Sequence, residues 1–489
     1  RVKTPEREGG MAMEFLLKAL KGYFGEFGKL LRLPREFWGI QALNLVYCLV
    51  YFAFVTINTL HLSQDVGFSD ETAGLMVGMF MTGTAILQIL MGPILDWLGF
   101  RKTPLIAGAI VTIGFLGIGT APLVLGVNIF GQIAVFIFYL IAMVGNGLMF
   151  PILTAGTKRF SNKETQNPAF NFWYLSMNIG AALLFLIDYV RRPFDGTTPE
   201  GVAAFREAGG NAHMLWYMAG LTVVCWFIIY FLIKREDQFP EFGEERAPVE
   251  KKTEKKSITK MLGEVFRNKA FHKVLGVLTL TIPAHIPFVL VFVMYPKYWT
   301  RVVSADLDIG RLSAINPVII VVGLILLAPV VKKFNVYWVL FTGMMIGALS
   351  MMILAIPPQW VASIMNVDMP SAYLTLIYCQ IVVFAVGEAI WSPQLMSYVG
   401  SFAPEGSEGT FLGIARFPHT TAKLVAGTVS GFLLAHLCPD GMIDKIHSGE
   451  LGYFGGPEAM NLIMAIICLI SPIGLLIFKK SLYVEKKAD

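Results

Sequence analysis

Twelve apolar stretches of about twenty residues each run through this 489-residue chain, and they decide its fold class before any motif is read. A helix of that length crosses roughly 30 Å of hydrocarbon. In lipid every backbone N–H and C=O must be satisfied within the protein, so only helices or closed barrels span it. Barrel strands alternate apolar and polar residues, and these stretches do not. The expected spans are 38–62, 71–97, 103–124, 127–155, 168–190, 212–234, 271–297, 308–331, 336–357, 371–398, 408–436 and 457–479. An all-α membrane protein of twelve transmembrane helices follows.

Loop charges set the orientation. Lys18, Lys21, Lys29, Arg32 and Arg35 precede the first span, Arg101 and Lys102 sit in the second loop, and Lys158, Arg159 and Lys163 in the fourth. The segment after the sixth span, Lys332 and Lys333 in the eighth loop, and Lys479, Lys480, Lys486 and Lys487 in the tail are also basic. The first, third and ninth loops carry no Lys or Arg. The positive-inside rule then places both termini in the cytoplasm. Arg191, Arg192 and Arg206 in the fifth loop, and Lys297, Arg301 and Arg311 in the seventh, weaken the pattern without reversing it. The net charge of +5 thus reports topology, and nucleic acid is not an expected partner.

At 55% hydrophobic and 15% charged, the composition is that of a membrane protein. Cys48, Cys225, Cys379, Cys438 and Cys468 are scattered without paired spacing, so no disulfide framework, metal site or cofactor is called for. No phosphate-binding loop or dinucleotide fingerprint appears, which leaves ATP-driven pumping within this chain unsupported. The first span would itself serve as the targeting signal. The most polar stretch, 235–270, divides the chain into an arm (1–37), a first half (38–234), a cytoplasmic linker (235–270), a second half (271–479) and a tail (480–489). Phe15–Leu33 and Ile258–Phe266 read either as interfacial amphipathic helices or as a loosely held arm and a solvated linker. A six-plus-six plan with its substrate between the halves is that of many secondary transporters.

Between the second and third spans the chain reads Gly92-Pro93-Ile94-Leu95-Asp96-Trp97-Leu98-Gly99-Phe100-Arg101-Lys102. This resembles the G-x-x-x-D-x-x-G-R-[RK] loop of the major facilitator superfamily, with Phe100 where the first Arg is usual. The resemblance implies that Asp96 and Arg101 form a cytoplasmic gate, latching that side in the outward-open state; a simple topogenic turn is the alternative. A narrower similarity is to the proton-dependent oligopeptide transporter family. It rests on Gly145-Asn146-Gly147 with Phe150-Pro151, on Phe172-Trp173-Tyr174 with Asn178-Ile179-Gly180, on Ser313 to Asn316-Pro317, and on Gly387-Glu388 with Ser392-Pro393. These matches fall in order and in both halves.

The departures carry as much. The family's first helix has E-x-x-E-R-F-x-Y-Y, which aligns with Asn44 to Phe52, so both glutamates and the arginine are missing and Tyr51-Phe52 keeps the aromatic pair. The lysine of the fourth helix is Phe150. Charge reappears in the second half. Glu388 sits inside the tenth span, where an unpaired carboxylate costs several kcal/mol, and the resemblance implies that it meets a substrate amino group. Arg416, His419 and Lys423 recur at helical spacing on one face, and His285 lies in Pro283-Ala284-His285-Ile286-Pro287. A Glu388–Lys423 or Glu388–Arg416 pair that only joins two helices is the bland alternative. Asp188, beside Arg191 and Arg192, reads as a local pair.

The expectation is a non-enzymatic secondary transporter in the inner or plasma membrane, working by alternating access. Its substrate site would comprise Tyr47, Tyr51, Tyr174, Asn178, His285, Asn316, Glu388, Arg416 and Lys423. Its partners are a small polar solute, anionic or zwitterionic and peptide- or amino-acid-derivative-like, and the lipid bilayer. Protons couple through Glu388 and His285, or the protein is a facilitator. An efflux carrier for amphipathic compounds and a non-transporting membrane scaffold are the rivals.

Overall fold

The computed structural model describes residues 25, 27–162, 164–191, 210–234, 269–331, 334–400, 417–450, 452 and 454–483. Its long helices are α1 (Arg35–Gln64), α2 (Asp70–Leu90), α3 (Gly92–Leu125), α4 (Ile129–Arg159), α5 (Gln166–Ala182) and α6 (Ala212–Leu232). The second set comprises α7 (Lys269–Val293), α8 (Ile309–Val331), α9 (Val336–Ile353), α10 (Met369–Gly400), α11 (Phe417–Leu437) and α12 (Gly456–Ile477). No strand occurs among the described residues. The segment read as an inter-half linker and the Ile258–Phe266 pattern lie outside them, apart from 269 and 270.

Among the described residues, ten helical segments are long and apolar enough to cross a membrane. The expected twelve are thus matched in part. α2 and α11 are not among the ten: α2 opens on Asp70 and Glu71 before its apolar residues begin, and positions 408–416 of the eleventh expected span lie outside the described residues. The second expected span continues past α2 into the first turns of α3, and Gly99 ends it with φ 84°. Only glycine adopts that backbone freely, so the turn between the second and third spans depends on the last glycine of the Gly92–Lys102 motif.

We call the end bearing the loops after odd-numbered helices distal, and the end bearing both termini proximal. Within the first half, α3 packs along α4 and α6, and in the second half α9 packs along α10 and α12. The halves meet through α2 against α11, α1 against α7, and α5 with its following turn against α8. The α2–α11 contact is backbone on backbone. A Cβ built on Gly427 would lie 2.3 Å from Gly78 Cα, and one on Gly74 would lie 2.6 Å from the Gly427 carbonyl. Small residues let membrane helices approach this closely, and packing between them replaces the hydrophobic drive that lipid cannot supply. The glycines of α2 therefore suit it to lie against another helix.

Candidate functional site

The charged residues of the second half converge on the first half at mid-depth. Glu388 on α10 is 3% exposed, and Asn316 on α8 donates to its Oε2 at 3.2 Å. Tyr174 on α5 lies within reach of Asn178 and Ser392 and within the electrostatic range of Glu388, so a first-half phenol is near the second-half carboxylate. Asn178 Nδ2 donates to the Tyr174 carbonyl at 2.8 Å, one helical turn back. That bond orients the amide. Three of the sequence-derived matches, on α5, α8 and α10, therefore come together.

His285 on α7 is also buried, and its Nδ1 lies 2.8 Å from the Thr281 carbonyl. A carbonyl only accepts, so Nδ1 carries the proton and Nε2 is left as the acceptor of the neutral ring. This tautomer is inferred from the bond rather than from a hydrogen position. Pro287, two residues on, does not interrupt the helix, which runs through Val293. The imidazole meets Trp391 edge-on at 4.8 Å and the His419 ring at 5.7 Å. Lys423, one turn from His419 on α11, is 9% exposed. Arg416 lies outside the described residues.

Where the oligopeptide transporters have charges on the first and fourth helices, this chain has a neutral hydrogen-bond network. Asn44 donates to the Trp173 carbonyl at 2.9 Å and to the Ser176 hydroxyl at 2.6 Å. Ser176 donates onward to Gln41 at 3.4 Å, and Gln41 donates to Thr157 at 3.0 Å. Tyr47, fully buried, donates to Asn146 at 2.5 Å. Buried polar groups of this kind must be paired, and here they pair with one another. Tyr47 and Tyr51 both contact Phe150 edge-on, at 5.6 and 4.8 Å. A phenyl ring thus stands where an ammonium would.

A second charged cluster lies at the distal end. Lys297 and Arg301 sit four residues apart on the short helix Tyr295–Val302, which follows α7, and both are almost wholly buried. Lys297 is paired with Asp70 at the start of α2 and donates to Ser63 at 2.5 Å. Arg301 meets the second Asp70 oxygen at 2.7 Å and donates to the Cys438 carbonyl at 2.7 Å. Nη2, the nitrogen that meets Asp70, also donates to Asp440 Oδ1 at 2.5 Å, and Nε donates to the same oxygen at 2.8 Å. Burial works against the Asp70 carboxylate, but Lys297 and Arg301 outweigh it and hold the group below its ordinary pKa.

Two further contacts fasten the same end. The N–H groups of Gly310 and Arg311 both donate to Asp188 at 2.8 Å, so an α5-side carboxylate caps the first turn of α8. Thr59 donates to the Val293 carbonyl at 2.9 Å. Asp188, read from sequence as a local pair, therefore has a cross-half role that sequence reasoning missed. By sequence, Lys297 and Arg301 read only as loop charges. Their spacing of four was the available signal, since it puts both on one helical face. Of the two proposed gate residues, Arg101 leans on Tyr230, 5.2 Å from its ring centroid; for Asp96 only the helical backbone is described.

In fold, the chain resembles several solved transporters. A D-xylose–proton symporter superposes with a TM-score of 0.63 at 16% identity, over 88% of this chain and 97% of that one. A transporter of the oligopeptide family in complex with 5-aminolevulinic acid gives 0.64 at 14%, over 92% and 97%. A nucleoside transporter gives 0.63 at 11%, over 90% and 99%. No curated protein matches the chain in sequence. The family model of the Major Facilitator Superfamily matches residues 42–418, from within α1 to the start of α11. With a match over most of its length and the two-half fold in place, this chain belongs to the Major Facilitator Superfamily and is a transporter, not an enzyme.

Proposed function

We propose that the chain is a twelve-helix secondary carrier, with both termini in the cytoplasm, that moves a small zwitterionic or anionic solute by alternating access. The solute would be peptide-like or an amino-acid derivative. The observation that carries this reading is the meeting of Tyr174 with Glu388 and Ser392 between the halves. Asn178 and Asn316 add polar groups at the same depth. A carboxylate held at a seam by a neutral donor, the Asn316 amide, is suited to receive a substrate ammonium or a proton. Lys423 places a cation on the neighbouring α11, and the sequence assigns Arg416 to the same face. A solute carboxylate or phosphate complements that side.

In this reading the distal end is the outer one, and the arrangement described is the outward-closed state. Asp70, Lys297, Arg301 and Asp188 hold the outer ends together, while Asp96 and Arg101 would serve the opposite gate. Proton coupling, where present, runs through the second half by way of Glu388 and His285, because the first-half relay is replaced by neutral pairs. Kinship with the oligopeptide transporters rests on the four motif matches, and the loss of the helix-one charges sets the chain apart from them.

The test is uptake into proteoliposomes under an imposed pH gradient, with dipeptides, 5-aminolevulinic acid and nucleosides offered in turn. A solute taken up by wild-type protein should lose its gradient dependence in Glu388→Gln while the variant stays monodisperse in detergent. Full gradient dependence in that variant sends the proton elsewhere and refutes the coupling. Uptake of nucleosides alone refutes the zwitterion.

A further inference from the structure

The site is chemically one-sided. Its ionisable groups, Glu388, His285, His419 and Lys423, all belong to the second half. Polar groups of the first-half wall are largely committed to one another, Tyr47 to Asn146 and Asn44 to Trp173 and Ser176. What that wall offers instead is rings. From Tyr47 a series of ring contacts runs through Phe150 to Tyr51, and from Tyr51 to Phe52, with centroids 4.8–5.6 Å apart. Phe52 crosses to Phe292 of α7 at 4.9 Å. The series continues through Phe288 to His419 at 5.2 Å. It ends at His285 and Trp391, beside Glu388 on α10. Phe150, Phe52, Phe288 and His419 are all partly exposed within this seam.

We propose that Phe150 determines specificity, making the first-half wall an aromatic platform that takes an aryl group of the solute while its charged groups face the second half. The inference rests on the zwitterionic reading above and fixes which end of the solute meets which half. Two physical features support it. A ring held edge-on by two tyrosines presents a π-face and low polarity, and aromatic groups gain from such neighbours beyond the burial of their area. An ammonium at the same place would attract a carboxylate, so the replacement of lysine by phenylalanine removes that attraction from the first-half wall. The committed hydrogen bonds of Tyr47 and Asn44 leave a polar solute end with fewer partners there than on the α8–α10 side. A polar group desolvated without a partner is penalised, which adds to the same orientation.

The experiment compares three dipeptides of equal charge, alanyl-alanine, alanyl-phenylalanine and phenylalanyl-alanine, by calorimetric titration of the full chain in detergent. At least one phenyl-bearing peptide should bind roughly tenfold or more tightly than alanyl-alanine, from burial of the added ring. Phe150→Ala should reduce that preference to about threefold or less. Phe150→Leu keeps an apolar side chain of similar bulk, guards against a folding defect, and should lose most of the preference as well. Phe150→Trp should retain it. Equal binding of all three peptides by wild type removes the aromatic platform and leaves the zwitterionic reading standing. Binding of none removes both. A preference that survives unchanged in Phe150→Ala and Phe150→Leu places the aryl group elsewhere and overturns the role of Phe150.

Discussion

Asp70→Asn is the perturbation whose consequence follows most directly from the structure. Asp70 is the carboxylate shared by Lys297 and Arg301 across the two halves. The amide that replaces it keeps the shape and loses the charge. The two cations are then left in different positions. Arg301 retains Asp440 and the Cys438 carbonyl. Lys297, only 1% exposed, keeps its bond to the Ser63 hydroxyl but loses its carboxylate partner. Removing one partner of a buried pair costs about 3–5 kcal/mol, mostly the penalty of the charge left behind. Because Arg301 is still compensated, the lower figure applies. The whole of it falls on the state in which the distal ends touch, since separation lets water reach Lys297. About 3 kcal/mol corresponds to a roughly hundredfold shift in the ratio of the distal-closed to the distal-open state.

Spin labels at Val127 and Ile364, both exposed and near the distal end of opposite halves, would report that shift as a longer or broader distance distribution in pulsed electron-resonance measurements. Asp440→Asn is the control. Asp440 is 80% exposed, and exposed pairs contribute about 0–1 kcal/mol, so its distances should stay near those of wild type. An unchanged distribution in Asp70→Asn, with only a lower melting temperature, would refute the latch and make the cluster a general stabiliser. Asp440→Asn opening the molecule as far as Asp70→Asn would refute the burial argument.

Four further outcomes are expected. The Asp70 pKa is lowered in the folded chain, so its contribution is present above the unfolded value of about 3.9 and is lost as pH falls through the lower folded value; the melting difference between wild type and Asp70→Asn should stay level from pH 5 to 8 and shrink under acid. Asp188→Ala removes the acceptor for two α8 N–H groups and should cost about 0.5–2 kcal/mol, read as earlier thermal unfolding; an unchanged midpoint would mean that water replaces the cap. Gly427→Leu should exclude the present α2–α11 contact, because even a Cβ there meets the Gly78 backbone, and crosslinking of cysteines placed at the distal ends of the two helices should fall. Cysteines at 67, 126 and 358 should label from outside intact cells and those at 158, 255 and 333 should not; labelling at 255 would invert the topology.

How far the sequence reveals this molecule depends on the range over which each interaction acts. Helix positions follow from local composition, because hydrocarbon imposes a length and a polarity on each crossing whatever its neighbours. That is why most of the apolar stretches coincide with helices of the fold. Which helices touch is less legible: α2 and α11 meet through Gly74, Gly78 and Gly427, whose close approach no local composition announces. The α5, α8 and α10 motifs that meet at Glu388 are legible for a related reason: a polar residue inside an apolar run is costly and therefore conspicuous. The distal latch is different. Asp70, Lys297, Arg301 and Asp188 lie at helix ends, where charge is cheap and common, so composition cannot separate a buried cross-half pair from a solvated loop.

Phe150 shows the converse case. In an apolar helix a phenylalanine is unremarkable by composition, and only the comparison with a lysine-bearing motif draws notice to it. Its ring contacts give that absence a physical content. With Tyr47 tied to Asn146 and Phe150 set between Tyr47 and Tyr51, the first half holds its wall together by neutral pairs and dispersion, and it has no charge there to neutralise when the halves move. A carrier with ionisable groups on both walls must re-pair or rehydrate charge on each as it opens. At the distal end that cost falls on both halves, because Asp70 and Asp188 must part from their partners. At the depth of Glu388 the first half offers neutral partners only among those described, so in the cycle proposed above an ion acting there acts on Glu388 and His285.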